Sequence, residues 1–433
     1  MSLSKNLLAQ FPRFSEYDPG ATSEGSLDPL GFAAVADQIA DRLAPGVRAR
    51  MSQPRFVTLS ALCAFACQPI SEVISSDGKS TFDIAFEWLT VESLVRYPDP
   101  GRLRGVPGSQ MALRAAKTNE RLSAAKYLAG PRVFGFTGVY RPFSLDAGVL
   151  GVDGLPGPNA ERLIFQWERD QGLDGFVSGT AGSPGLRLRR EIERECLLTL
   201  KAAYVTAPPT GWLMKQIADS MAPREAKAGE RARLRELITG GVHEVRGEIS
   251  HILLGAMPSP EASQLEVVRS LIARASPVTR TALEAAIAFE SCATAIDYAF
   301  RRLLAYGASI GRAFSVAQGV EAPQLSALAP KLGRLTQHAI NAAAALDDSF
   351  AHKVADGFAH FDRAMAPAEF VEALIERHQQ VQETKGKRMW IDPIRDKWAI
   401  RPQAPEQSLD LDDALWAHPM RVTTLAEFLR ATA

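Results

Sequence analysis

The chain has 433 residues, which at roughly 100–200 residues per domain suggests about three domains. Hydrophobic residues make up 46%, enough for more than one core, so the composition excludes wholesale disorder. Lys and Arg together number 49 and so do Asp and Glu, which excludes a generally cationic coat protein and makes local charge the informative quantity. No apolar run approaches the roughly 18–20 residues of a membrane span. The opening MSLSKNLLAQFPRFSEYDPG lacks the apolar core and cleavage site of a signal peptide. The expectation is a cytoplasmic protein with no membrane partner.

Residues 1–28 are polar, with Gly and Ser towards their end, and read as a loosely docked arm. A helix then starts at Asp28-Pro29, an N-cap and a first-turn proline, and stops at Pro45-Gly46. Phe32, Val35, Ala36, Ile39 and Leu43 form its apolar stripe. The next helix, about 54–68, is apolar almost all round and therefore buried. A third spans about 80–97. After prolines and glycines between Pro98 and Gly108, a helix is expected over 109–128. Short elements separated by glycines follow up to Gly185. Helices then dominate, near 187–206, 211–221, 224–239, 261–275, 278–306, 323–346 and 367–384. Two short strands are expected on either side of Asp392-Pro393, then an acidic stretch and a last helix ending near Arg430. The fold class is mainly α, multi-domain, with a short β hook near the C-terminus.

The charge distribution carries the functional signal. Arg102, Arg104, Arg114, Lys117, Arg121, Lys126, Arg132 and Arg141 face a single acid, Glu120, a net +7 over 40 residues of a neutral chain. On the expected 109–128 helix, Arg114, Lys117 and Arg121 recur at spacings of three and four and so share one face. Flexible cations on one surface suit phosphate contacts. A second cluster, Lys385, Lys387 and Arg388, lies beside Trp390 and Trp398. Cations next to aromatics can hold backbone and bases, or the tryptophans can simply anchor a domain.

Residues 138–163 read as a helix ending in Gly-x-Leu, an Asp153-Gly154 turn and a new helix. Over about 109–172 this pattern resembles the winged-helix family. The resemblance implies a recognition helix at 140–147 and a wing at Gly151–Leu155, with the helix able to enter a DNA major groove. Pro142 and Asp146 depart from the polar or basic side chains of many DNA readers, so a protein-binding or purely structural module stays open. The chain is also similar in style to bacterial proteins encoded near phage-defence genes, on segments such as Asp28-Pro-Leu-Gly31 and the closing stretch from His378 to Trp390. The resulting division is an N-terminal arm (1–28), a helical domain (29–104), a winged-helix-like module (105–184), a helical bundle (185–384) and a basic hook and tail (385–433).

Catalytic motifs are sparse. Arg246-Gly-Glu-Ile-Ser-His251 has the R-x4-H spacing of HEPN ribonucleases, but Gly247 replaces their usual polar residue. Asp362 with Glu383-Thr-Lys385 matches the D…E-x-K order of metal-dependent nucleases, yet Glu383 closes a helix rather than lying on a strand. His352, Asp356 and His360 could share a helix face as metal ligands, although no H-E-x-x-H is present. Ser76–Thr81 contains Gly-Lys-Ser, but Val73 stands where a phosphate loop needs glycine. Cys63 and Cys67 lie one turn apart without the second pair of a zinc site, and read as buried thiols. The sequence thus points to a subunit that binds nucleic acid, DNA before RNA and by backbone contacts, together with other protein subunits. It leans away from catalysis and assigns no catalytic residue, cofactor or metal. The alternatives are a metal-dependent or HEPN-like nuclease and a protein–protein scaffold.

Overall fold

The first helix starts later than Asp28-Pro29 suggests: Asp28 Oδ1 accepts the Phe32 amide at 2.9 Å in the turn before it, Gly31 takes a positive φ of 77°, and helix α1 spans Ala33–Leu43. The computed structural model describes residues 28–97, 103–402 and 404–433. The expected N-terminal arm therefore lies outside the described residues, except for Asp28. After α1 come α2 (Arg55–Cys67), α3 (Phe82–Arg96), α4 (Ser109–Lys117), α5 (Pro131–Phe134), α6 (Phe136–Val139), α7 (Arg141–Asp146), α8 (Ala160–Gln171), α9 (Pro184–Ala202), α10 (Trp212–Met221), α11 (Ala228–Thr239), α12 (Glu244–Gly255), α13 (Gln264–Ile272) and α14 (Pro277–Ser309). Strand β1 (Ala313–Phe314) precedes α15 (Val316–Gly319), α16 (Leu325–Leu328), α17 (Leu332–Ala344), α18 (Asp348–Phe358) and α19 (Pro367–Thr384). The chain ends with β2 (Ile391–Ile394), β3 (Lys397–Ile400) and α20 (Val422–Arg430). The protein is mainly helical with one small antiparallel sheet among the described residues, as its composition and periodicity led us to expect. No described helix is long and apolar enough to cross a membrane.

The described residues form two compact units, each discontinuous in sequence: those within Met1–Val35, Phe289–Ala344 and Asp348–Asp413 in one, and those within Ala36–Ala288, Ala345–Asp347 and Ala414–Ala433 in the other. The second, larger unit is built around α2 and α3. In α2 nearly every residue from Arg55 to Cys67 is buried, including Cys63 and Cys67, which are free thiols. In α3 every residue from Ile84 to Val95 is buried. Helices apolar all round must be covered on all sides, and α8, α9, α10 and α4 do this, with α8 against α2 and α10 and α4 against α3. Arg55 crosses to α11, where its Nε donates to Glu230 Oε1 at 3.1 Å. Its Nη atoms donate to the Ala222 and Ser220 carbonyls at 2.6 and 2.7 Å. The last helix, α20, packs on α12 and α13, and Arg421 at its N-cap reaches back to Asp37 at 2.6 Å and to Asp41.

The first unit gathers Phe289, Phe300, Phe314, Phe358, Phe361 and Phe370 into one core. Two strands were expected around Asp392-Pro393. The hairpin instead turns at Arg395 (φ 58°), and Pro393 sits within β2 opposite Trp398. Sheet order β1-β3-β2 makes β2 an edge, where a residue without an N–H costs no ladder bond. The third strand, β1, pairs Ala313 with Ala399 and Phe314 with Trp398. Gly307 in α14 makes room for it: a Cβ there would come within 2.5 Å of Phe314. The hook is pinned by His378 on α19, which is fully buried. Its Nε2 accepts the Trp390 amide at 3.0 Å, so its Nδ1 carries the proton and donates to the Pro29 carbonyl at 3.0 Å. Phe300 stacks on the imidazole at 4.9 Å between centroids, and the buried Trp390 ring lies 5.2 Å away.

Burial pushes the His378 imidazole down to about 4 from an ordinary 6.5. A histidine kept neutral when folded binds protons more readily when unfolded, so stability is complete above 6.5 and declines as pH falls towards 4. The loss is expected to reach about 3 kcal/mol, and urea melts at neutral and mildly acidic pH should show it shrinking in His378→Gln. Trp390→Ala should cost about 3–5 kcal/mol, typical of a buried large aromatic. An unchanged melting temperature would show that the tryptophan does not anchor the hook.

Candidate nucleic-acid interface

The basic segment follows α3 directly, and the carboxylates of α3 decide its course. Glu92 is 2% exposed. It accepts from Arg121 Nε at 2.6 Å, from the Leu122 amide at 2.9 Å and from Arg96 at 3.2 Å. Five residues earlier on α3, Glu87 is wholly buried and accepts from Tyr127 Oη at 2.7 Å, the Thr137 amide at 2.8 Å and Thr137 Oγ1 at 2.6 Å. Burial pushes the Glu87 carboxyl up to about 7, against the pull of its three donors. Gly135 allows this approach, since a Cβ there would lie 2.0 Å from Glu87 Oε1.

This pinning overturns the expected 109–128 helix. Helix α4 ends at Lys117, and Asn119 takes a positive φ of 55°. Arg121 therefore does not share a face with Arg114 and Lys117; it turns inwards to Glu92 and the Ala207 carbonyl. Buried hydrogen bonds to Glu92 outweigh the weak preference of the 118–122 stretch for continuing a helix. Ala112 and Ala115 bury one side of α4, while Arg114 and Lys117 are exposed on it. Neither forms an ion pair among the described residues.

The other expected contact residues are distributed as follows. Arg102 lies outside the described residues. Arg104 is exposed. Lys126 pairs with Glu120 at 2.6 Å, so the one acid of the segment is taken by its neighbour. Arg132 is exposed and lies 3.3 Å from Thr81 Oγ1. Arg141 is half-buried and donates to the Val152 carbonyl at 3.1 Å, bracing the hairpin that follows α7. In the first unit, Lys385 Nζ donates to Asp28 O and Oδ2, both at 3.0 Å. Lys387 is half-buried and Arg388 is exposed.

Helix α7, the expected recognition helix, is six residues long, with Phe143 and Ser144 buried and no residue fully exposed. The hairpin after it closes with one bridge, Leu150 to Pro156, and Gly151 N donates to Leu155 O at 2.8 Å. Asp146 at the end of α7 is clamped by His243 Nε2 and by the buried Arg246, which also donates to the Pro45 and Gly240 carbonyls. The R-x4-H pair does not converge, because His251 is exposed and bonds the Gly247 carbonyl through Nδ1. Similarly, His352 is exposed and bonds the Asp348 carbonyl, and no group of described residues is arranged to hold a metal. His243 lines a groove of about 710 Å³ with Arg42, Val242, Glu244, Val278 and Thr281. Its lining also includes the Asp41 carboxylate, and the Thr281 hydroxyl donates to Pro277 O at 2.9 Å.

Sequence reasoning missed two cations. Arg224 and Arg430 join Arg104 around a cleft of about 750 Å³. They come from the turn after α10 and the end of α20, and no local pattern marks them. Comparison with protein-family models, with curated proteins and with solved structures finds no match.

The segment thus contains two kinds of cation, and substitution separates them. Arg121→Glu places a charge against the buried Glu92 and is expected to cost about 3–5 kcal/mol. Arg114→Glu and Lys117→Glu should stay within about 0.5 kcal/mol of wild type. Thermal melts of the three variants test this, and equal effects would refute the distinction.

Proposed function

We propose that the protein is a non-catalytic nucleic-acid-binding or assembly subunit that grips the sugar–phosphate backbone through residues 103–132. One observation carries this reading: Arg104, Arg114, Lys117 and Arg132 are exposed on a segment whose only acid, Glu120, is paired with Lys126. Cations held away from carboxylates attract phosphates without sequence preference, and binding then releases counterions. The half-buried side chains of α7 favour backbone contact over base reading. The separate partners of Arg246 and His251 favour a non-catalytic role. A scaffold reading draws on Val242 and Val278, which line the His243 groove at 90% and 61% exposure and suit a protein partner.

Fluorescence anisotropy with labelled DNA and RNA at about 50 mM salt tests the proposal. Affinity should fall steeply as salt rises, by about one unit of log–log slope per phosphate contact. The double variant Arg114→Glu/Lys117→Glu should bind more weakly, lower that slope by about two and keep its melting temperature. Absence of binding to any single- or double-stranded probe would refute the reading. Loss of a co-purifying protein in the double variant, with nucleic-acid binding unchanged, would favour the scaffold.

A further inference from the structure

The cleft around Arg104 lies in the second unit and is strongly basic. Four arginines line it, Arg55, Arg104, Arg224 and Arg430, with Glu427 as the one acid among the described residues. The buried Arg55 is matched by Glu230 and two carbonyls, so its charge is already answered. Arg430 donates one Nη to the Pro258 carbonyl at 2.6 Å, which fixes its guanidinium at the wall and leaves its other N–H groups for a ligand. Arg104 and Arg224 are exposed and form no ion pair among the described residues. Three guanidiniums thus meet one carboxylate, with Ser52 and Gln53 supplying further polar groups.

An anion restores this balance, and its chemistry is constrained. Guanidinium forks match tetrahedral oxyanions by paired N–H···O bonds. A bridging phosphodiester brings a single charge, whereas a phosphomonoester brings about −1.5 to −2 charges and three terminal oxygens. A volume of about 750 Å³ falls within the range of small-ligand sites and suits the end of a strand better than the flank of a duplex. We propose that this cleft binds a phosphomonoester, carried either by the end of a nucleic-acid strand or by a free nucleotide. The first source deepens the backbone-binding reading and rests on it; the second stands without it.

Calorimetry on the full chain with adenosine monophosphate and with adenosine tests the chemistry. A short single strand with and without a terminal phosphate tests the source. The monophosphate should bind and adenosine should not. If a strand end is the occupant, the phosphorylated strand should bind at least about tenfold more tightly than the unphosphorylated one, as expected for charge-assisted hydrogen bonds. If a free nucleotide is the occupant, the two strands should bind equally and the monophosphate alone should show the preference. Arg224→Gln, at an exposed position, should weaken the preferred ligand about tenfold with an unchanged melting temperature. Arg430→Gln should do the same, and its melting temperature reports whether the wall has been kept. The proposal is overturned if the phosphate makes no difference in either pair, or if Arg224→Gln binds like wild type. Strand binding that Arg114→Glu/Lys117→Glu weakens while the phosphate has no effect would sink the cleft and leave the backbone reading standing.

Discussion

Two carboxylates on a helix with no exposed side organise the larger unit. Helix α3 is covered from Ile84 to Val95, yet it carries Glu87 and Glu92 within that stretch. A buried carboxylate without partners costs several kcal/mol, so each must find donors. The segment that follows supplies them. Arg121 and the Leu122 amide answer Glu92, and Tyr127 and Thr137 answer Glu87. The path of residues 118–137 is therefore set by hydrogen-bond satisfaction, and the exposed cations on either side of the Glu92 contact follow from it.

The same physics separates structural cations from available ones. A guanidinium against a buried carboxylate makes charge-assisted bonds in a low dielectric, whereas one in solvent contributes little to folding. Arg121 belongs to the first kind. Arg104, Arg114 and Lys117 belong to the second, so their side chains can be committed to a ligand without loss of stability. The pair of Arg246 and His243 on Asp146 is structural for a related reason. It joins the end of α7 to the start of α12.

In the smaller unit, a single neutral imidazole does comparable work. His378 joins the Trp390 amide and the Pro29 carbonyl, and its ring completes an aromatic cluster with Phe300 and Trp390. Both ring nitrogens are used, so protonation has no room and burial opposes it. The hook thus depends on the tautomer of one side chain rather than on the length of its own strands, which are four residues each.

Much of this molecule was legible in the sequence. Apolar periodicity located α1, α2, α3 and α19, although the start of α1 falls at Ala33 because Asp28 closes a turn before the helix and does not cap it, and the all-round apolar character of α2 meant burial. These are local properties, fixed by the spacing of side chains along a helix. The short hook strands were also legible, but the turn between them was misplaced, because an edge strand can accept Pro393. Tertiary structure alone decided the rest. The α4 boundary moved because Glu92, far back on α3, competes for Arg121. Strand β1 was invisible because two residues carry no pattern until Trp398 and Ala399 pair with them. The arginine cleft draws on the 103–108 turns, the stretch after α10 and the final helix, and no sequence window contains all three. Burial and hydrogen-bond satisfaction act through space, so local apolar spacing in the sequence determined most of the long helices, and only packing determined where α4 stops and which of the nearby cations stay exposed.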